Sequence, residues 1–268
     1  MDWTLVPIFL AIGGVVGFIA GLLGIGGGMT MIPLLTLIFT RQHFPPAHVL
    51  HIAVATSLAT IVFTSISSVR AHHAHDAVVW PIFWKLGPGI LIGSLVGPQI
   101  VGGLSTSTLA GVFALFTAFT ATRLLRDTKP KPSRALPGPL GMLGTGSALG
   151  LLSSMVGAGG AFISVPFMTA CNVRIHNAVA TSAALGLPIA AAGTVGYLLA
   201  GSRVSDLPPY TIGYVNLPAL FAIASASVIA APAGARMAHR WPVARLRRAF
   251  AVLLFAISAF FVWKFLAS

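Results

Sequence analysis

Apolar positions along this chain gather into long runs, and the polar positions fall mainly between them. Runs of about 17 to 25 apolar residues suit helices that cross a bilayer. They predict segments near residues 5–24, 48–70, 80–101 and 106–125, with a shorter one near 28–40. The pattern then breaks, because residues 126–139, RDTKPKPSRALPGP, are polar, basic and proline-rich, which suits a solvated linker. Beyond it the series resumes near 140–156, 160–172, 176–201, 211–235 and 243–266. The organisation is a first transmembrane repeat over 1–125, a cytoplasmic linker over 126–139 and a second transmembrane repeat over 140–268.

The halves carry an ordered set of matching stretches. GIGGGMTMIP, Gly24 to Pro33, aligns without a gap with GAGGAFISVP, Gly157 to Pro166. VATSLA, Val54 to Ala59, matches VATSAA, Val179 to Ala184, in five of six positions, and Pro98 and Pro232 fall in similar places in the fourth segments. Five segments per half is an odd number, so the second half enters the membrane upside down relative to the first. A glycine-broken pair that re-enters instead of crossing leaves three full spans per half and the same parity. The fold class expected is therefore an all-α polytopic membrane protein of two inverted-topology repeats, with about 8–10 membrane segments including glycine-broken short or re-entrant helices.

Composition agrees. Hydrophobic residues make up 56% of the 268 and charged residues only 7%, against roughly a quarter charged in soluble domains. Sixteen Lys and Arg against four acids, Asp2, Asp76, Asp127 and Asp206, give a net charge of +12. The bases cluster at segment ends and form no soluble basic face, so the charge speaks for an anionic lipid surface and against nucleic acid. With the linker inside, only Arg41, Arg203 and Lys264 lie outside and the other thirteen bases lie inside. By the positive-inside rule both termini face the periplasm of a bacterial inner membrane. Trp3 and Trp263 then mark the outer interface and Trp80, Trp84 and Trp241 the inner one. The N-terminal stretch lacks the basic start of a signal peptide and is read as part of the fold. Cys171 stands alone, so no disulfide within the chain and no cysteine-based metal cage is expected.

The glycine breaks hold the candidate chemistry. Irregular backbone at membrane depth is tolerated only inside protein or along a water-filled cavity. A short helix starting at Gly26, Gly27 and Gly28 would aim its first N–H groups and its positive dipole end into the break, an anion site made of backbone. Gly157, Gly159 and Gly160 would build the partner site in the second half. Thr56 and Ser57, with Thr181 and Ser182, supply uncharged hydroxyl donors; Ser and Thr also commonly bond their own helix, and glycines also serve close helix packing. No Asp or Glu lies in any predicted membrane core, which leaves no carboxylate proton relay. His48, His51 and His176 lie near the starts of third segments, as proton carriers or as packed interfacial residues. His72, His73, His75 and Asp76 cluster in RAHHAHDAVVW, where a polar loop flank is a simpler account than a metal site. No cofactor is expected.

Together these stretches resemble one known family. GLLGIGGGMTMIPLL with VATSLATIVFTSISSVRAH, repeated as GLLSSMVGAGGAFISVPFM with VATSAALGLPIAAAGTVGYLLAG, is similar to the sulfite exporter TauE/SafE family, also called the toluene sulfonate uptake permease family. The resemblance covers nearly the whole chain. It implies a polytopic permease that moves sulfur-containing anions such as sulfite, sulfoacetate and other sulfonates, mostly outward. Carried over by motif, the site positions are Gly26, Gly27, Gly28, Thr56 and Ser57 with Gly159, Gly160, Thr181 and Ser182. The second half departs at Ala161, where the first has Gly28.

One negative charge leaving an inside-negative cell gains about 2.3 kcal/mol per 100 mV, so export needs no coupling ion. Proton- or cation-coupled uptake is the alternative, and the absent membrane carboxylates weigh against it. The basic run from Arg236 to Arg248 either concentrates anions at the inner mouth or marks topology and touches lipid headgroups. An embedded enzyme would need an acid beside Ser57 or Ser182, which the core lacks. An accessory subunit has no use for two duplicated polar breaks. Expected partners are a small sulfur-containing anion and membrane lipids, with a homo-oligomer left open.

Overall fold

The computed structural model describes residues 5–23, 27–73, 76–126, 135–238 and 243–266. Gly26 and His75 lie outside the described residues, as do the side chains of His72 and His73 and most of the linker. Ten helices appear among the described residues: α1 (Val6–Leu23), α2 (Gly28–Arg41), α3 (Val49–His73), α4 (Trp80–Gly102), α5 (Thr106–Leu125), α6 (Pro139–Met155), α7 (Ala161–Ala170), α8 (Ile175–Gly201), α9 (Leu217–Ala238) and α10 (Val243–Leu266). The protein is an all-α polytopic membrane protein. α3, α5, α8, α9 and α10 each contain a stretch long and apolar enough to cross a bilayer. Large apolar side chains such as Ile92, Leu115, Phe221, Ile229 and Val252 face outward, as they do where the solvent is hydrocarbon.

One segment departs from the sequence expectation. The apolar stretch expected to start at 211 becomes helical only at Leu217, and residues 211–216 form a two-residue antiparallel ribbon, Thr211–Ile212 (β1) against Val215–Asn216 (β2). The reason is local: Pro208 and Pro209 precede it, and Gly213 takes a left-handed φ of 53° that turns the chain back.

Two elements are too short to cross. α2 has 14 residues and α7 has 10, about 21 Å and 15 Å at 1.5 Å per residue, against a hydrocarbon core of about 30 Å. α2 packs against α3, which follows it through the 42–48 turn, and α7 packs in the same way against α8. Space for a Cβ at Gly28, the first residue of α2, is taken by Ile61 and by Ser57 Oγ, near the middle of α3. At Gly160, just before α7, the same space is taken by Ile189, near the middle of α8. Both short helices therefore begin half-way along a spanning helix.

The halves interlock. α1 packs on α9 and α4 on α6, so the first helix of each half meets the fourth of the other, and α5 meets α10. α3 and α8 lie together at the centre. Leu58 approaches Gly193 and Ser65 approaches Gly186, so α3 and α8 run antiparallel. Phe113 on α5 stacks near Phe261 on α10, with ring centroids 4.7 Å apart, while Ser258 donates to the Ala114 carbonyl at 2.9 Å. Those helices are antiparallel too.

Glycines on α4 let α6 come within backbone contact: a Cβ at Gly93 would collide with the Ser147 carbonyl, whereas one at Gly87 would meet nothing within 4 Å. Gly93→Ala should lose about 1–3 kcal/mol through forced separation and lower the Tm in detergent by several degrees. Gly87→Ala should leave it unchanged or slightly raised. Thermal unfolding of the two variants side by side checks this; equal Tm values would contradict the packing.

Candidate functional site

Gly27 and Gly160 occupy corresponding places, each the residue before a short helix, with left-handed φ of 68° and 80°. Only glycine takes that conformation without strain, and it lets each helix start abruptly. The carbonyl of Gly27 accepts the N–H of Thr30 and Met31 and the Thr30 hydroxyl, the last at 2.7 Å. The Gly160 carbonyl accepts the N–H of Ile163 and Ser164 and the Ser164 hydroxyl at 3.0 Å. The N–H groups of Ala161 and Phe162, at the start of α7, have no backbone acceptor among the described residues.

The two breaks touch. The Gly28 Cα lies against the Gly157 carbonyl with no room for a Cβ, and Gly157, itself at φ 57°, lies against Ile32 of α2 and Val54 of α3. This is the physical reason that the first half carries glycine at 28. Ser57 donates to the Gly28 carbonyl at 3.2 Å, and Ser182 pairs with Ser164 at 2.5 Å. Gly159 meets Gly186 and, beyond it, Ser65. So Gly27, Gly28, Ser57 and Gly157 form one side, and Gly159, Gly160, Ser164 and Ser182 the other.

The threonines do something different. Thr56 Oγ1 accepts the N–H of Asn216, at the end of the ribbon before α9, at 3.0 Å. Thr181 Oγ1 accepts the N–H of Val79, just before α4, at 2.9 Å. Each tethers the entry of the opposite half's fourth helix to a central helix. All four VATS hydroxyls are fully buried.

Sequence reasoning passed over Ser153, on α6 just before the second break. It is fully buried, its hydroxyl has no hydrogen-bond partner among the described residues, and it lies near the space a Cβ on Gly160 would fill. Its position in SSMVGAGG was the available signal. Ser164 and Asn216 were also missed, because their roles arise from packing between distant segments. A narrow crevice with no room for a water molecule lies beside the first break, lined by Ile19, Gly27, Met29, Thr30, Phe162 and Phe250. Phe162 and Phe250 stack across it with centroids 5.7 Å apart.

A second polar cluster joins His48, His51 and Tyr214 at the far end of α3. Burial pushes the Tyr214 hydroxyl above the usual tyrosine range, so it stays protonated throughout the physiological range.

Comparison with known proteins gives one family. The profile described as "Sulfite exporter TauE/SafE" matches residues 9–261. A Haemophilus influenzae protein named "Probable membrane transporter protein" is 31% identical over 258 residues, covering 96% of this chain and 97% of the relative. A similarly named protein of Methanocaldococcus jannaschii is 29% identical over 80% of this chain and 79% of its own, and YdhB of Bacillus subtilis is 28% identical over 87% and 90%. No solved structure gives a significant match.

Thr56→Val and Thr181→Val keep shape but each leaves an N–H without an acceptor, buried at Asn216 and half-buried at Val79, and the buried one costs about 1–3 kcal/mol. Both variants should unfold at lower temperature, Thr56→Val by the larger amount. Thr36→Val, which removes only a bond to its own helix, should be milder, and differential scanning fluorimetry in detergent reads the contrast.

Proposed function

The chain belongs to the sulfite exporter TauE/SafE family, and we propose that it exports a small sulfur-containing oxyanion, sulfite, sulfoacetate or another sulfonate, by alternating access. The protein is a multi-pass membrane transporter. In our reading its halves are inverted-topology repeats, both termini face the periplasm of a bacterial inner membrane, and the antiparallel course of α3 against α8 and of α5 against α10 supports this.

The observation that carries the site is the meeting of the two breaks. α2 and α7 begin at mid-span, each folded back along one of two antiparallel central helices, so their positive ends approach from opposite sides. An oxyanion there would take N–H donors from Ala161 and Phe162 and a hydroxyl from Ser153. Ser57 and Ser182 would switch from their present partners, and Thr56 and Thr181 keep their hydroxyl hydrogens to donate. The Gly28–Gly157 contact closes the site between its two sides.

Direction follows from charge. An inside-negative membrane drives an anion outward at about 2.3 kcal/mol per 100 mV, and the basic inner segments raise anion concentration at the cytoplasmic mouth. Among the described residues the acids are Asp76 and Asp206, both exposed, so neither Ser57 nor Ser182 has the partner a nucleophile needs. A second reading, proton-coupled uptake, is favoured by one observation, the buried His51.

Proteoliposomes loaded with sulfite or sulfoacetate test the reading. Wild type should release the anion faster as the inside is made more negative. Ser153→Ala removes one hydrogen bond to a charge, about 1.5–3 kcal/mol, so efflux should fall about tenfold or more with the Tm unchanged. Failure of wild type to release either anion, or a Ser153→Ala variant that transports at the wild-type rate, would refute the site.

A further inference from the structure

His51, the third residue of α3, is only 1% exposed. Its Nε2 lies 3.0 Å from the carbonyl oxygen of Val101, at the last turn of α4. A carbonyl only accepts, so Nε2 carries the hydrogen and Nδ1 is a lone pair. That lone pair is buried and has no partner among the described residues. The ring thus stands on the negative end of a helix dipole, with its base unused.

His48 lies one turn earlier, with ring centroids 6.0 Å apart, and its Nδ1 is also buried without a partner among the described residues. It is half-buried as a residue, nearer the surface than His51. Tyr214 stacks on His51 from the β1–β2 turn at 5.2 Å and 28°, and Tyr197 of α8 stands behind Tyr214 at 6.3 Å. These are the titratable groups that face His51 among the described residues. The matching histidine of the second half, His176, also five residues before its VATS threonine, is exposed. Only one end of the molecule encloses its histidine.

This cluster is wired to the breaks twice. Along α3, Ser57 lies six residues on, about 9 Å by helical rise, and reaches Gly28. The ribbon that carries Tyr214 ends in Asn216, whose N–H bonds Thr56.

We infer that His51 is a proton-binding site, with His48 as its relay to the outer face, linked to the anion site so that protonation strengthens anion binding. The proton adds to the Nδ1 lone pair, and the imidazolium keeps its Nε2–H bond to the Val101 carbonyl. Proton binding stands on the geometry of the cluster alone; the linkage rests on the anion site proposed above. A unit positive charge about 10 Å from an anion, at an effective dielectric near 20, changes affinity on the order of tenfold. Linkage is reciprocal, so the anion raises the His51 midpoint by about one pH unit.

The test uses the full chain in nanodiscs with ¹⁵N-labelled histidine, followed by NMR from pH 5 to 8 with and without methanesulfonate, whose charge is constant over that range. His51→Gln assigns the ring signal, and His176→Gln is the control. The expected result is that His51 titrates within the window and its midpoint rises about one unit with methanesulfonate. Binding of the anion should weaken about tenfold from pH 5 to 8 in wild type and His176→Gln, and stay flat in His51→Gln. A His51 ring that stays neutral to pH 5 overturns the proton site, and His51→Asn assigns the signal if His51→Gln fails to fold. Full acid dependence in His51→Gln overturns the linkage. Titration of His51 with no anion bound at any pH supports the proton site and overturns the anion reading together with the linkage.

Discussion

A helix that stops in the middle of an apolar slab leaves N–H and C=O groups that only other protein atoms can satisfy. This protein has two such stops and places them against each other. Gly28 rests on the Gly157 carbonyl, each cap carbonyl takes a hydroxyl and two N–H groups from its own short helix, and Ser57 satisfies Gly28. Two spanning helices must wall in that contact, and α3 and α8 do so from the centre of the molecule. The outer helices then brace the walls in reciprocal pairs, α1 with α9 and α4 with α6.

The reciprocity extends to single hydrogen bonds. Thr56 and Thr181 each hold the N–H of a residue entering the opposite half's fourth helix. Each bond ties the entry of one fourth helix to the central helix that flanks a break, so the outer pairs and the centre are joined by hydrogen bonds as well as by apolar packing.

The halves also differ, at the breaks and at the ends of the central helices. Gly28 faces a carbonyl at contact distance while its counterpart is Ala161. His51 lies under Tyr214 while His176 is exposed. These differences give the two ends of the molecule different chemistry.

The sequence by itself determined the membrane class, the helices and the repeat. Apolar length and charge at segment ends are properties of a local window, because the bilayer imposes one length and one polarity on every span. The glycine breaks were legible for a like reason, since GIGGG and GAGG recur at the same place in each half. The ribbon at 211–216 was hidden inside an apolar run whose composition does not distinguish a helix from an extended turn. Only the tertiary structure decided that the breaks touch, that Thr56 and Thr181 tether distant segments, and that Ser153 Oγ and His51 Nδ1 are buried without partners. Those facts depend on which groups from separate helices share a few ångströms of interior, and a hydrogen bond or an orphaned atom exists only once that neighbourhood is assembled.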